Sequence, residues 1–192
     1  VYGFFKAQSF SEEVKLFEDQ TSFYFPRQLM DKGSQPNFSL ADYISPTGDD
    51  HIGLFAVTAG HGIENIIKEY QAKNDDYSEI MAKVLADRLA EAAAEWLHKK
   101  VRTEYWGYSK DEDLDLNAML YEKYCGIRPA PGYPACPDHK EKDKIWKLLN
   151  VEEQIGISLT ESRAMFPAAS VCGWYFSHPK ARYFSVLKNE VL

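Results

Sequence analysis

Apolar and polar residues alternate along the first part of the chain and then give way to a continuous apolar run. The alternation over residues 14–17 and 23–25 predicts two half-buried strands, and residues 1–5 have a similar strand-like composition. The apolar run at residues 52–58 predicts a buried strand, which is the best candidate for the centre of a sheet. The glycine-containing residues 59–62 that follow predict a turn from strand to helix.

Two later segments show helical periodicity. Between residue 76 and about residue 102, apolar side chains recur at intervals of three and four residues. These positions are Met81, Val84, Leu85, Leu89, Ala92, Ala93 and Trp96. Asp75 or Asp76 can cap the start of this helix. Residues 141–154 predict a second helix, which Gly156 ends.

The last part of the chain again favours strands. Three segments, at residues 157–165, 171–176 and 183–187, are separated by proline-containing turns. A short element is predicted at residues 40–43 within a connecting region. Because strands that follow one another with short turns usually pair as antiparallel neighbours, we expect a β-meander flanked by helices, in one α+β domain over residues 1–192.

Composition narrows the class of protein. The chain has 192 residues, of which 45% are hydrophobic, and a net charge of −7 without any Lys/Arg run. This charge disfavours nucleic acid as a partner, since binding to the phosphate backbone needs clustered positive charge. No apolar run approaches the roughly 20 residues of a membrane span, and no signal pattern is present, so we expect a cytoplasmic protein. The three cysteines show no pairing or zinc-site spacing, and we expect reduced thiols without a bound metal.

The most informative segment is a proline-rich loop at residues 128–137, which contains four prolines. Each proline fixes its own φ and restricts the residue before it, so the loop has few conformations to lose when a ligand binds. Arg128 offers a planar fork for a carboxylate, Gly132 permits close backbone approach, and Tyr133 offers an aromatic face. The alternative is a surface connection with a structural arginine.

The order Arg-x-x-x-Gly-Tyr in this loop resembles a signature of the activation domain of cobalamin-dependent methionine synthase, which binds S-adenosylmethionine. Four other blocks, at residues 85–92, 105–108, 159–162 and 173–179, are similar to the family in the same order and spacing. The resemblance covers nearly the whole chain. It implies a bent antiparallel sheet flanked by helices.

The resemblance also implies a set of residues that contact S-adenosylmethionine. Arg128 would take the ligand carboxylate, and Glu91 or Glu122 would take the ammonium group. Tyr133 would face the sulfonium, whose positive charge is attracted to an aromatic ring. The full set implied by the family is Arg128, Ala130, Gly132, Tyr133, Glu91, Glu122, Tyr183 and Phe184, the last two flanking the adenine.

Structural roles are the alternative for three of these residues. Glu91 can instead form an ion pair with Arg88 or Lys83, because surface pairs of this kind are common. Glu122 can be a solvated loop charge. The Phe184 ring can lie in the core.

The function implied by the resemblance is reactivation of methionine synthase. In the family, cob(II)alamin receives one electron from flavodoxin or a related reductase and is then methylated by S-adenosylmethionine. The cobalamin is held by a separate domain that docks here, so we expect this chain alone to bind ligand without turnover and to be a monomer. The alternatives are a stand-alone S-adenosylmethionine-dependent methyltransferase and a docking module for the reductase or cobalamin domain that binds no small ligand.

The two ends of the chain depart from the family pattern. The chain starts at Val1, which predicts an N-terminally truncated fragment. An Ile-Asp-Trp motif that contributes an acid to the family's ligand site has no match in residues 1–20, and the chain ends before the family's usual helical tail. Ammonium binding would then depend more heavily on Glu91 and Glu122.

Overall fold

The computed structural model describes residues 1–30, 33–34 and 36–186. Its centre is an antiparallel sheet of five strands in the order β3-β2-β1-β4-β7, and a separate hairpin pairs β5 with β6. The strands are β1 (Tyr2–Phe10), β2 (Glu13–Leu16), β3 (Ser22–Tyr24), β4 (Asp50–Thr58), β5 (Ser158–Leu159), β6 (Met165–Phe166) and β7 (Ser170–Tyr175). The helices are α1 (Ile63–Ala72), α2 (Asp76–Lys100), α3 (Leu116–Leu120), α4 (Glu141–Leu149) and α5 (Val151–Ile155).

The antiparallel α+β fold predicted from the sequence is confirmed. Strands β1, β2 and β3 form a meander, and β4 and β7 extend the sheet on the other side of β1. The apolar run of residues 52–58 lies in β4, which is the second strand from one edge, whereas β1 occupies the centre of the sheet. The run is continuous because side chains on both faces of β4 are buried. Leu54 joins the larger core cluster beneath the sheet, whereas Phe55 joins a smaller cluster under α2.

The face through which α2 packs differs from the prediction. Asp75 caps the helix as predicted, its carboxylate accepting the N–H of Ser78 at 3.0 Å. The helix is buried through a ridge of small residues at intervals of four, Ala86, Ala90 and Ala94. The large apolar side chains that suggested the packed stripe are exposed, namely Met81, Val84, Leu85, Leu89 and Trp96. Towards the end of the helix, Ala94 and Leu97 belong to the cluster that contains Phe55 of β4 and Tyr175 of β7.

Three other sequence predictions need correction. The helix predicted at residues 141–154 is interrupted at Asn150, which adopts φ 49° between α4 and α5, although Gly156 does end it. The strand predicted at residues 157–165 is the hairpin of β5 and β6, because the Thr160 N–H bonds the Ala164 carbonyl across a tight turn. Residues 183–186 are irregular rather than a strand. Residue 187 lies outside the described residues.

Three general features bear on function. Within the described part of the chain, no helix is both long and apolar enough to cross a membrane. Cys125, Cys136 and Cys172 are free thiols. The described residues contain no group of three or more His, Cys, Asp or Glu side chains that is arranged to hold a metal ion.

Candidate functional site

The proline-rich loop is attached to the outer edge of β7. Ile127 and Phe176 exchange two backbone hydrogen bonds of 3.0 Å, and the Trp174 N–H donates to the Pro129 carbonyl at 3.0 Å. This approach requires Gly173, because a Cβ atom there would lie 2.3 Å from the Pro129 oxygen. The backbone at the start of the loop is therefore fixed by the edge of the sheet.

The middle of the loop folds back on itself around Gly132. The Gly132 N–H donates to the Cys136 carbonyl at 2.8 Å, and Gly132 has φ +89°, a value that side chains rarely permit. The ring of His139 lies directly against Gly132. A Cβ atom added to Gly132 would lie 2.0 Å from the Cε1 atom of His139. The His139 Nδ1 atom lies 3.1 Å from the ammonium of Lys142, which also donates to the Arg163 carbonyl.

A pocket of about 780 Å³ opens beside this loop. Its other walls come from the β6–β7 region, including Met165 and Cys172, and from residues 183–185. Most of the wall is apolar. The structure brings together seven of the eight residues predicted for the site, with Gly132 lying between two lining residues, and these seven are Glu91, Glu122, Arg128, Ala130, Tyr133, Tyr183 and Phe184.

Arg128 carries most of the polar interactions at one end of the pocket. Its Nη2 and Nε atoms lie 3.2 and 3.4 Å from Oε2 of Glu95, and its Nη1 lies 3.8 Å from Oε2 of Glu91. Burial tends to lower the pKa of Arg128, but Tyr183 and the nearby carboxylates reverse this effect, and the net shift is upward. Arg128 is therefore a permanent cation with two anionic neighbours.

These contacts bear on the two interpretations of Glu91. Its carboxylate faces Arg128 across the pocket wall, whereas Lys83, one of its possible partners, pairs with Glu79 at 2.5 Å. Lys83 is therefore engaged by Glu79 and does not form the alternative ion pair with Glu91. Its side chain keeps 43% of its exposure, which leaves an oxygen accessible from the pocket.

The aromatic residues occupy different depths. The hydroxyl of Tyr183 accepts the backbone N–H of Arg128 at 3.1 Å, so this ring is tied to the loop, and burial raises the pKa of the hydroxyl. Phe184 lines the pocket but also packs against the core, with ring centroids 5.9 Å from Phe38 and 6.5 Å from Tyr43. Tyr133 lies at the rim and is 62% exposed.

Glu95 is the main site residue that the sequence prediction missed. It lies one helical turn after Glu91 on α2, and the spacing of four residues places the two carboxylates on one helix face. That spacing was the available signal. Glu95 contacts Arg128 from outside the pocket lining, whereas His139 and Lys142 line the pocket and were not predicted as site residues.

Comparisons with known proteins identify the family of the chain. Residues 1–190 match the family described as vitamin B12-dependent methionine synthase, activation domain. The chain belongs to this family. A similar solved structure is the crystal structure of the MetH reactivation domain bound to AdoHcy, which is 46% identical with a TM-score of 0.92. The alignment covers 96% of this chain and 59% of that one, so the chain spans about three fifths of that relative.

Proposed function

We propose that this chain binds S-adenosylmethionine in the pocket beside Arg128 and thereby serves the reactivation of cobalamin-dependent methionine synthase. The observation that carries the proposal is the ion pair of Arg128 and Glu91, whose nearest atoms are 3.8 Å apart at the pocket wall. An amino acid group carries a carboxylate and an ammonium on one carbon atom. A cation and an anion side by side match this pair of opposite charges.

The remaining surface of the pocket fits the rest of the ligand. Its volume of about 780 Å³ falls within the range of ordinary small-molecule sites, which are mostly apolar with a few polar groups. Glu122 offers a second carboxylate for the ammonium. Tyr133 at the rim supplies a ring face for the sulfonium, and Tyr183 and Phe184 supply flat surfaces for the adenine.

Backbone groups of the loop complete the proposed site. Ala130 lines the pocket and Gly132 adjoins it, and both belong to a segment held by hydrogen bonds to β7 and by its prolines. Because this segment is already ordered, binding would require little further loss of conformational entropy. The AdoHcy bound to the similar MetH reactivation domain supports a ligand of this chemical class.

When bound, S-adenosylmethionine supplies the methyl group that returns cobalamin to its methylated form. We propose that the cobalamin is held by another domain of the whole protein, and that flavodoxin or a related reductase supplies the electron. The residues of this chain would bind and orient the ligand, which is the contribution that proximity makes to catalysis. The isolated chain is then expected to bind ligand without turnover.

Isothermal titration calorimetry with S-adenosylmethionine and S-adenosylhomocysteine tests the proposal. We expect saturable one-to-one binding, and a loss of about 10- to 150-fold in Arg128→Ala, the range for removing a hydrogen bond to a charged group. Lys68→Ala, which removes an exposed cation from α1, is the matched control and should bind as the unmodified chain does.

Three results would contradict the proposal. A folded chain that binds neither ligand but still associates with the cobalamin domain would be a docking module. Methylation of a small substrate by the isolated chain would instead indicate a stand-alone methyltransferase. Equal affinity in Arg128→Ala would show that the site is elsewhere.

A further inference from the structure

Glu95 lies between two arginines, one at the pocket and one in the interior. Its Oε2 atom accepts from Nη2 and Nε of Arg128 at 3.2 and 3.4 Å, and its Oε1 atom lies 3.9 Å from Nη1 of Arg102. The hydroxyl of Tyr124 reaches the same Oε2 atom at 3.5 Å. Glu95 thus connects the wall of the pocket to a fixed charge behind it.

The interior arginine is held rigidly. Arg102 is fully buried, and its guanidinium donates to both carboxylate oxygens of Glu112 at 2.7 and 2.8 Å. The ring of Tyr124 lies 3.9 Å from the guanidinium carbon. Nη1 of Arg102 and Oε1 of Glu95 have no hydrogen-bond partner within the described residues, and the two atoms lie 3.9 Å apart, too far for a hydrogen bond but close enough for attraction between their charges.

The geometry at Arg128 determines which of its donors are free for a ligand. A guanidinium has five N–H groups in one plane, and Glu95 occupies the edge formed by Nε and Nη2. Nη1 is left on the side of Glu91 and the pocket. If Glu95 were absent, the guanidinium could rotate so that the Nε edge faced Glu91, and the orientation of Nη1 would be lost.

We propose that Glu95 is a positioning residue: held by Arg102, it fixes the guanidinium of Arg128 so that its outer N–H groups receive the carboxylate of the ligand. This inference rests on the proposed function, because it assumes that Arg128 meets a ligand carboxylate. It adds a residue without ligand contact to the determinants of specificity for an amino acid group.

A second effect of Glu95, repulsion of the ligand carboxylate, would change the affinity in the opposite direction. The direction of the change in affinity when Glu95 is removed therefore tests the proposal. A carboxylate near a bound carboxylate repels it, and removing that repulsion would strengthen binding. If Glu95 only competes with the ligand for Arg128, its removal raises affinity. If Glu95 positions Arg128, its removal lowers affinity, and only for ligands that carry a carboxylate.

The experiment compares S-adenosylmethionine with decarboxylated S-adenosylmethionine by calorimetric titration of the unmodified chain, Glu95→Ala and Glu95→Gln. We expect Glu95→Ala to lose about tenfold in affinity for S-adenosylmethionine, the effect of weakening one charge-assisted hydrogen bond. Its affinity for the decarboxylated ligand should stay within about twofold. Glu95→Gln keeps an acceptor oxygen and should restore most of the loss.

Two further variants serve as controls. Asp87→Asn removes one exposed negative charge from the same helix and should leave the ratio of the two affinities unchanged. Glu95→Met keeps the aliphatic stem without an acceptor, and it replaces Glu95→Ala in the comparison if that variant does not fold.

The outcomes separate the inference from the proposed function. Tighter binding of S-adenosylmethionine in both Glu95→Ala and Glu95→Gln would overturn the positioning role in favour of competition. Equal losses for both ligands would overturn it in favour of a general structural role. An unchanged ratio in Glu95→Ala would also overturn it. Failure of the unmodified chain to bind S-adenosylmethionine would reject the proposed function itself.

Discussion

Substitution of Gly132 by alanine should destabilise the chain through two separable effects. The left-handed backbone at φ +89° costs about 1–2 kcal/mol for a residue with a Cβ atom. The new Cβ atom would lie 2.0 Å from Cε1 of His139, whereas carbon atoms pack at about 3.5–4 Å. The ring must therefore move by about 1.5 Å, which costs only about 0.5–1 kcal/mol because His139 is exposed and its ring can turn into solvent, giving up the contact of Nδ1 with Lys142.

The expected total is about 1–3 kcal/mol of unfolding free energy, a measurable share of the about 5–15 kcal/mol typical of a domain. Urea unfolding followed by tryptophan fluorescence measures it, since the chain has four tryptophans. Gly62→Ala is the matched control: Gly62 has φ +78°, and nothing lies within 4 Å of an added Cβ atom. It should lose only the backbone share.

A second variant isolates the collision. His139→Ala in the Gly132→Ala background removes the ring that the new methyl group meets. The two substitutions should then be less destabilising together than the sum of their separate effects, by about 0.5–1 kcal/mol. Strict additivity, or equal losses in Gly62→Ala and Gly132→Ala, would refute the packing argument.

Two further predictions concern titratable groups. Burial, followed by Arg102 and Arg128, holds the pKa of His98 well below its usual range, so the folded chain keeps this ring neutral while the unfolded chain protonates it. The free energy of unfolding should therefore fall as the pH drops below about 6.5, by up to about 1.4 kcal/mol per pH unit. His98→Phe should reduce this dependence on pH in unfolding measurements. Equal pH dependence in the variant and the unmodified chain would contradict this. Burial raises the pKa of the Cys172 thiol to about 12, so a maleimide should label Cys125 in the native chain and Cys172 only after unfolding; equal rates would contradict this.

The sequence predicted those elements of the fold whose pattern of apolar residues follows directly from how they pack. The continuous apolar run of β4 reflects packing on both faces of the sheet. The packed face of α2 was not predictable from the run of large apolar residues, because most of its buried positions are the small residues Ala86, Ala90 and Ala94. The aromatic pair Tyr183 and Phe184 has a strand-like composition, yet these residues line the pocket instead.

For the candidate site, the sequence predicted lining residues of the pocket whose surroundings are local. Arg128 and Tyr133 lie in a loop whose prolines are visible in the sequence. Glu95 was missed because its role depends on how α2 lies against that loop, 33 residues further along the chain. Position relative to Arg102 and Arg128 is set by tertiary packing, and residue type alone did not distinguish Glu95 from other helical acids.

The attachment of the proline-rich loop to β7 also affects how the protein avoids aggregation. An outer strand with free backbone groups is a template on which another chain can add, and proline cannot extend such a ladder. Here the Pro129 carbonyl and Ile127 occupy hydrogen-bonding groups of Trp174 and Phe176. One segment therefore both closes an edge of the sheet and lines the pocket. Substitutions that loosen it to widen ligand choice would at the same time expose that edge to self-association.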